Sequence, residues 1–482
     1  MKGSDQRGGV FSAFVACAKH AEDRAALIGH TQPTTYGQLH ARATELAARL
    51  PTSSEASPRV GLLLHNGRDF IAGFLAVAAR GGLAVPLNPR MTAADLGWYA
   101  RELGFEALFT TRNLGRPLLD GLPALADRAV YVEEIPAGSR AGADRLRPGD
   151  FDNDTPAVCL STSGTTGTPK LVVRSHASLL ANARAIATAL AIGETDRFAA
   201  VVPFCHAYGL GASMLVPLLA GASLAPQMQF APKGLTGICR EFNLTVLPGS
   251  PMIFSMLADS DASPEDFAAV RHCLSSGARL APDIARRCRD RLGLRVRQLY
   301  GSSEMGTVAI GGGDEEADTD CVGTPLPGIG LRIAPAKPAD DGACGEVLVR
   351  SPAIMSGYLE AGGLEPTPLS DGYYPTGDLG SLTAAGALRL AGRRKRMINV
   401  CGINVDPVEI EVVLNTMPGV HEARASSRVN DRGMETIAVT IRAEKGIKLG
   451  RAEVIRFCRG RLAEYKMPRV IDFVETFTLK EG

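Results

Sequence analysis

The stretch from 161 to 170, STSGTTGTPK, gathers serine, threonine and glycine around one proline and ends on Lys170. Glycines let successive backbone N–H groups turn into one concavity, and the hydroxyls add donors to it. The lysine supplies a mobile point charge suited to polyphosphate. The spacing GxxxxGKS/T is absent, so this is not a Walker A loop. A phosphate-holding loop and an ordinary flexible loop both fit the composition, and the flanks favour the first. Ala157–Leu160 reads as a short buried strand, and the residues after Lys170 pass from an apolar run into helical periodicity. The loop therefore joins two core-forming segments.

Three further stretches carry groups able to do chemistry. In QLYGSSEMG (298–306), a strand ending in Tyr-Gly is followed by two hydroxyls and a carboxylate. Open α/β sheets bind ligands just past such carboxyl ends. Glu304 there can hold Mg²⁺, a hard ion that takes oxygen ligands, or can be an exposed turn glutamate. In YYPTGDLG (373–380), Asp378 sits in a glycine-flanked turn, where it can make an Asx-turn or accept hydrogen bonds from a ribose diol. The basic stretch GRRKRMINVCGINVDPVEIE (392–411) is consistent with a solvated turn or with a functional segment.

These residues need a scaffold, and the chain of 482 residues is too long for one hydrophobic core. Apolar runs at 59–67, 83–88, 244–248, 271–276 and 295–300 alternate with helix-like stretches. That alternation implies parallel sheets covered by helices, an α/β fold. Near residue 390 the texture changes. A helix over Pro407–Met417, strands over Val420–Val429 and Thr436–Ala443, and a helix over Arg451–Tyr465 form a small α+β unit. The expected organisation is a large N-terminal domain of helix-covered, mostly parallel sheets over residues 1–392, a hinge at 393–396, and a small mobile α+β C-terminal domain over 397–482.

Composition narrows the function classes. Apolar residues make up 45% and charged residues 21%, an ordinary soluble balance, and the net charge of +1 gives no footprint for nucleic acid or an anionic membrane. No apolar run approaches the ~20 residues of a membrane span. The N-terminal residues do not read as a secretory signal. The ten cysteines show neither CxxC pairs nor metal spacing with histidine, which suits buried thiols in a reducing cytoplasm.

Taken in order, STSGTTGTPK, YGSSE, GEVLVRSPAIMSGY (345–358), YPTGDLG and GRRKRMINVCGINVDPVEIE resemble the motif series of the ANL superfamily of adenylate-forming enzymes. The resemblance runs from near residue 34 to 468. It implies ATP-dependent activation of a carboxylate to an acyl-AMP with release of pyrophosphate, then displacement of AMP by a thiol. By similarity, Thr162, Ser163, Gly164, Thr165, Thr166, Gly167 and Lys170 form the loop over the ATP phosphates. Tyr300 lies against adenine, Gly301 and Ser302 belong to the same nucleotide-binding segment, and Ser303 contacts the AMP phosphate. Glu304 helps to hold Mg²⁺. Ser276, Gly277 and Ala278 line adenine and acyl pocket together, and Asp378 and Arg393 bind the ribose hydroxyls. Gly402 lets the backbone approach the pantetheine arm.

The stretch PFCHAYGLG (203–211) bears on the substrate. His206 stands where acyl- and aryl-CoA ligases commonly place an aromatic residue or histidine near the reacting carboxylate, although a core histidine is the plainer alternative. No acidic residue stands there to pair with an ammonium, which argues against an α-amino acid. Tyr208, Met252, Gly277, Gly301, Met305 and Gly306 are expected to line the acyl pocket, with Met252 and Met305 equally suited to plain core positions. The family's terminal Gly-Lys has its nearest counterpart in TLKEG (478–482). Lys480 substitutes for that lysine from an offset position, or the chain is truncated, or adenylation is impaired. The leading expectation is a cytoplasmic carboxylate–CoA ligase for an aryl or fatty acid, using ATP, Mg²⁺ and CoA. One alternative loads the phosphopantetheine of a carrier protein, and another is a non-catalytic nucleotide- or acyl-AMP-binding protein.

Overall fold

The computed structural model describes residues 7–29, 32–51, 57–136, 146–162, 169–228, 230–312, 320–335, 344–360, 363–393, 398–401, 403–430, 433–444 and 447–474. Two large sheets and a smaller C-terminal unit carry the chain. The first sheet has eight strands. Leu83–Pro86, Arg59–Leu63, Ala107–Thr110, Ala129–Tyr131 and Pro156–Thr162 pair in parallel. In Arg59–Leu63, Leu83–Pro86 and Ala107–Thr110 the side chains are almost wholly buried, because helices cover both faces, so the sequence shows continuous apolar runs rather than alternation. The helix Arg68–Ala79 packs here with Phe70 to Ala79 all buried.

The second sheet has thirteen strands. Its parallel half contains Arg197–Ala200, Ser223–Pro226, Val246–Gly249, His272–Ser275 and Val296–Ser302. Beyond residue 302 the direction reverses. Gly306–Ile310 folds straight back on Val296–Ser302, with Ser302 opposite Gly306. Only three residues separate the strands, too few for a parallel crossover. A Cβ on Gly301 would lie 2.2 Å from the Gly306 carbonyl oxygen, so this tight return admits only glycine. The antiparallel extension continues through Cys321–Pro325, Leu388–Arg393, Tyr374–Leu382 and Gly345–Arg350. The sheets are thus parallel where helices separate the strands and antiparallel where the connections are short.

The first sheet is also completed from far along the chain. Lys170–Ser175 pairs antiparallel with Pro156–Thr162 on one side and with Gly357–Glu360 on the other. The large N-terminal region therefore closes its two sheets with strands from the same late segment.

The small C-terminal domain has its own apolar cluster, centred on Ile398, Val405, Ile410, Leu414, Val439 and Val454. Asp406 caps the helix Pro407–Asn415 by accepting from the Val408 N–H at 2.8 Å. The helix expected over Arg451–Tyr465 ends at Cys458, and Gly460 follows with φ +81° in the left-handed region, which terminates helices. A short 3₁₀ turn, Glu464–Lys466, leads to the strand Val470–Phe473.

Candidate active site

The carboxyl ends of the parallel strands in the second sheet open into a cleft of about 1870 Å³. That exceeds the few hundred to ~1,000 Å³ of a single-ligand pocket, so more than one ligand group fits. On one wall, Tyr300 at the end of its strand donates its phenol to Asp378 Oδ2 at 2.6 Å. Asp378 is buried, its backbone N–H donates to Thr376 Oγ1 at 3.0 Å, and its residue pairs with Arg393 across two antiparallel strands. Gly377 N–H donates to Glu346 Oε1 at 3.1 Å, and the turn expected around Asp378 is instead part of the strand Tyr374–Leu382, paired on both edges. Ser276 Oγ donates to the Leu299 carbonyl at 2.9 Å, tying the end of His272–Ser275 to the Tyr300 strand. Gly277, Ala278, Gly301, Ser302 and Ser303 line the same wall.

Next to this wall stands a second cluster. The Lys170 ammonium sits 4.7 Å above the centroid of the Tyr358 ring. The Tyr358 hydroxyl donates to Glu304 Oε1 at 3.3 Å and also meets the Tyr374 hydroxyl at 3.3 Å. Burial, followed by the Glu304 charge, pushes the Tyr358 phenol up to about 12, and burial pushes Tyr374 up as well. Both phenols therefore keep their protons and act as donors at neutral pH. The Met355 N–H donates to the Glu304 carbonyl at 2.7 Å, and the Ser302 hydroxyl accepts from the Glu304 N–H at 3.3 Å. A cation, a carboxylate and two hydroxyls thus occupy one patch although they come from positions 170, 304, 358 and 374.

His206 also lines this cleft. Its segment is held by Asn66, whose side chain donates to the Ala200 and Val202 carbonyls at 3.0 and 2.9 Å and accepts from the Phe204 N–H at 2.8 Å. Phe204 is fully buried against Phe70, with ring centroids 5.4 Å apart. From His206 the chain enters a π-helical turn, Gly209–Leu215, a form that recurs at functional sites. Protein surrounds His206 except toward the cleft, and the lost hydration lowers its pKa to about 4, so the imidazole is neutral above that pH. Tyr208 anchors its hydroxyl on the Leu274 carbonyl at 2.9 Å, and burial raises its phenol pKa.

The small domain closes one side of the cleft. Asn399 Nδ2 donates to the Gly277 carbonyl, joining the hairpin Ile398–Val400/Ile403–Val405 to the adenine-side wall. Glu409 and Lys466 form an ion pair at 2.6 Å in the same cleft.

The residues singled out in the sequence therefore fall into three groups. Thr162, Lys170, His206, Tyr208, Ser276, Gly277, Ala278, Tyr300 to Gly306 and Asp378 line the cleft. Met252 lies in the helix Pro251–Ala258 and is not among the cleft-lining residues, because the chain turns away after Gly249. Ser163, Gly164, Thr165, Thr166, Gly167, Gly402 and Lys480 fall outside the described residues, and Arg393 is described by its backbone alone. Sequence reading missed Asn66, Asn182, Glu346, Tyr358 and Tyr374. Glu346, Tyr358 and Tyr374 lay within quoted motifs without being singled out, and nothing local marked Asn66 or Asn182.

Among the described residues no three histidine, cysteine, aspartate or glutamate side chains cluster at metal-binding distance. Mg²⁺ needs no such cage, since one or two carboxylates with phosphate oxygens and waters suffice. Glu304, with its carboxylate on the cleft wall beside Ser302 and Ser303, fits that donor set. No helix of the described residues is long and apolar enough to cross a membrane.

The profile of the AMP-binding enzyme family matches residues 14–359. A 3-(7a-methyl-1,5-dioxo-octahydro-1H-inden-4-yl)propanoyl:CoA ligase of Mycobacterium tuberculosis is 31% identical, with 94% of this chain and 91% of that protein covered. The medium-chain fatty-acid–CoA ligase of Escherichia coli is 28% identical, with 95% and 85% covered. Among solved structures, a malonyl-CoA ligase in a ternary product complex with methylmalonyl-CoA and AMP matches with TM-score 0.82 at 27% identity, over 95% of this chain and 97% of that one.

Proposed function

The chain belongs to the AMP-binding enzyme family and is an AMP-forming acyl-CoA ligase, and on that premise we propose how its cleft divides the work. A carboxylate oxygen of the acid attacks the α-phosphorus of ATP, the bond to pyrophosphate breaks, and an acyl-AMP remains. The thiol of CoA then attacks the acyl carbon, AMP leaves, and a thioester is formed. In the first step charge moves between oxygens, and in the second the thiol loses its proton as charge passes from sulfur to the departing AMP phosphate, so positioning and electrostatics dominate catalysis.

Adenine lies along Gly277 and Tyr300, and Asp378 accepts from the ribose hydroxyls, with the Arg393 strand beside it. Thr162 to Gly167 cover the phosphates. Lys170 leaves the Tyr358 ring for the phosphate oxygens, a stronger partner for an ammonium than an aromatic face. Ser303 donates to the α-phosphate. Glu304 holds Mg²⁺, which when bound neutralises phosphate charge. Neutral His206 donates a hydrogen bond to the acid's carboxylate and orients it without trapping it in an ion pair.

We place the large domain at residues 1–392, the hinge at 393–396 and the mobile small domain at 397–482. Gly402 then gives the pantetheine arm close backbone access next to the hairpin that Asn399 docks on Gly277. Lys480 is the candidate for contact with the carboxylate and phosphate during adenylation. The acids are aryl or fatty acids, and ten unpaired cysteines suit the cytoplasm in which we place the enzyme.

The observation that carries this reading is the Lys170–Tyr358–Glu304 cluster, which stands beside Tyr300–Asp378 in the cleft that His206 also lines. The test supplies ATP, Mg²⁺, CoA and a panel of aryl and fatty acids, with acyl-AMP and acyl-CoA read by mass spectrometry. Thioester from free acid is the expected result. Parallel reactions offer a carrier protein with its phosphopantetheine arm, and synthetic acyl-AMP with CoA. Preference for the carrier overturns CoA as acceptor, and nucleotide binding with no product from any route overturns the enzyme.

A further inference from the structure

Asn182 lies on the buried face of the helix His176–Leu190, is 4% exposed, and lines the cleft. Its amide crosses the interval between two positions that carry no side chain. A Cβ on Gly306 would lie 2.8 Å from its Cγ, and a Cβ on Gly211 would lie 3.6 Å from its Oδ1. Gly211 belongs to the π-helical turn that His206 and Tyr208 lead into, so Asn182 stands further along the same wall from the histidine assigned to the carboxylate. Its Nδ2 donates to the Thr307 carbonyl at 3.1 Å and its Oδ1 accepts from the Thr307 N–H at 3.4 Å. An asparagine amide has two N–H donors and two carbonyl lone pairs. These two bonds fix the orientation of the group and leave one N–H and one lone pair, with no further partner among the described residues.

We propose that Asn182 is a specificity-determining residue that reads the far end of the acyl group, selecting acids that carry a ketone or hydroxyl there. This rests on the ligase reading above. A buried amide left unpaired costs free energy, and a site built to hydrogen-bond a polar group rejects the analogue that lacks it. An apolar tail therefore leaves the remaining N–H and lone pair of Asn182 unmet, whereas a carbonyl or hydroxyl completes them.

The test uses the full chain with matched pairs of acids of equal ring size, such as 3-(4-oxocyclohexyl)propanoate against 3-cyclohexylpropanoate and 3-(4-hydroxyphenyl)propanoate against 3-phenylpropanoate. Acid-dependent pyrophosphate release gives kcat/KM. The parent should prefer the polar member of at least one pair by about tenfold, the worth of one buried hydrogen bond. Asn182→Leu should bring that preference to within about twofold, chiefly through a higher KM for the polar acid, with ATP KM unchanged. Equal or better use of the apolar members by the parent overturns the inference even if the variant does not fold. A preference that persists in Asn182→Leu, or in the smaller Asn182→Ser, assigns the selection elsewhere and also overturns it. No turnover of any acid by the parent defeats the ligase reading and this inference together. Turnover without polar preference defeats this inference alone.

Discussion

Tyr300 and Asp378 meet at 2.6 Å, phenol to carboxylate, across the boundary between the parallel half of the second sheet and its antiparallel extension. The bond holds the carboxylate in a fixed pose on the nucleotide side of the cleft. Asp378→Asn should raise the KM for ATP by roughly ten- to a hundredfold, because a charge-assisted bond to the ribose is lost, and should change the KM for the acid much less. Equal rises in both would make Asp378 a structural residue.

Tyr358 joins a cation to a carboxylate through one side chain, ring to Lys170 and hydroxyl to Glu304. Tyr358→Phe keeps the ring and removes the hydroxyl. The variant should bind ATP as the parent does but need about three- to tenfold more Mg²⁺ for half-maximal pyrophosphate release, the effect of one weak hydrogen bond to a charged group. Titration of the rate with Mg²⁺ checks this, and an unchanged midpoint would separate Tyr358 from the metal role of Glu304.

Two strongly shifted histidines contribute to the loss of stability in acid. Burial lowers His176 and His206 from 6.5 to about 4. Between those values the unfolded chain holds protons that the folded chain does not, so stability is retained above pH 6.5 and lost as the pH falls toward 4. His176 accepts from the Val10 N–H through Nδ1 at 3.3 Å, while its buried Nε2 has no partner among the described residues. His176→Asn keeps an acceptor near the Nδ1 position and removes the titration. Its melting temperature should fall less steeply than that of the parent over this interval. Activity should show no His206 titration between pH 6 and 8, and a break in that range would contradict a neutral imidazole.

Asn66 satisfies three backbone groups that lead into His206. Asn66→Ala should destabilise the protein by about 2–4 kcal/mol, since buried groups lose their partners, and should lower kcat more than it raises the ATP KM. Urea unfolding and steady-state kinetics separate the two effects.

Much of this was legible in the sequence. The Tyr-Gly-Ser-Ser-Glu strand end and the Gly-Asp pair, which the fold brings to one cleft, announce themselves through residue types that only particular backbones or ligands require. The parallel strands were equally plain, because burial on both faces makes them continuous apolar runs. Asn182, Asn66 and Glu346 were not legible, since each acts through backbone groups 31 to 138 residues away and no local pattern encodes such a partner. Met252 misled for the converse reason: an apolar residue near a strand end suits a pocket and a core alike, and only the turn of the chain after Gly249 decides. The helix drawn through to Tyr465 ends at Cys458, where Arg459 turns extended and Gly460 follows in the left-handed region, against the periodicity around them.

The order in which the two sheets are completed has a consequence for synthesis. Lys170–Ser175 has Pro156–Thr162 for a neighbour early on, but its other edge waits for Gly357–Glu360. Until those residues leave the ribosome, a strand reading KLVVRS presents an open, largely apolar edge. The partner that seats its lysine, Tyr358, arrives on that same late strand, and Asp378 follows only about twenty residues later. A nascent chain halted before this point has an adhesive edge and half a nucleotide pocket, so it is work for chaperones rather than a sink for ATP.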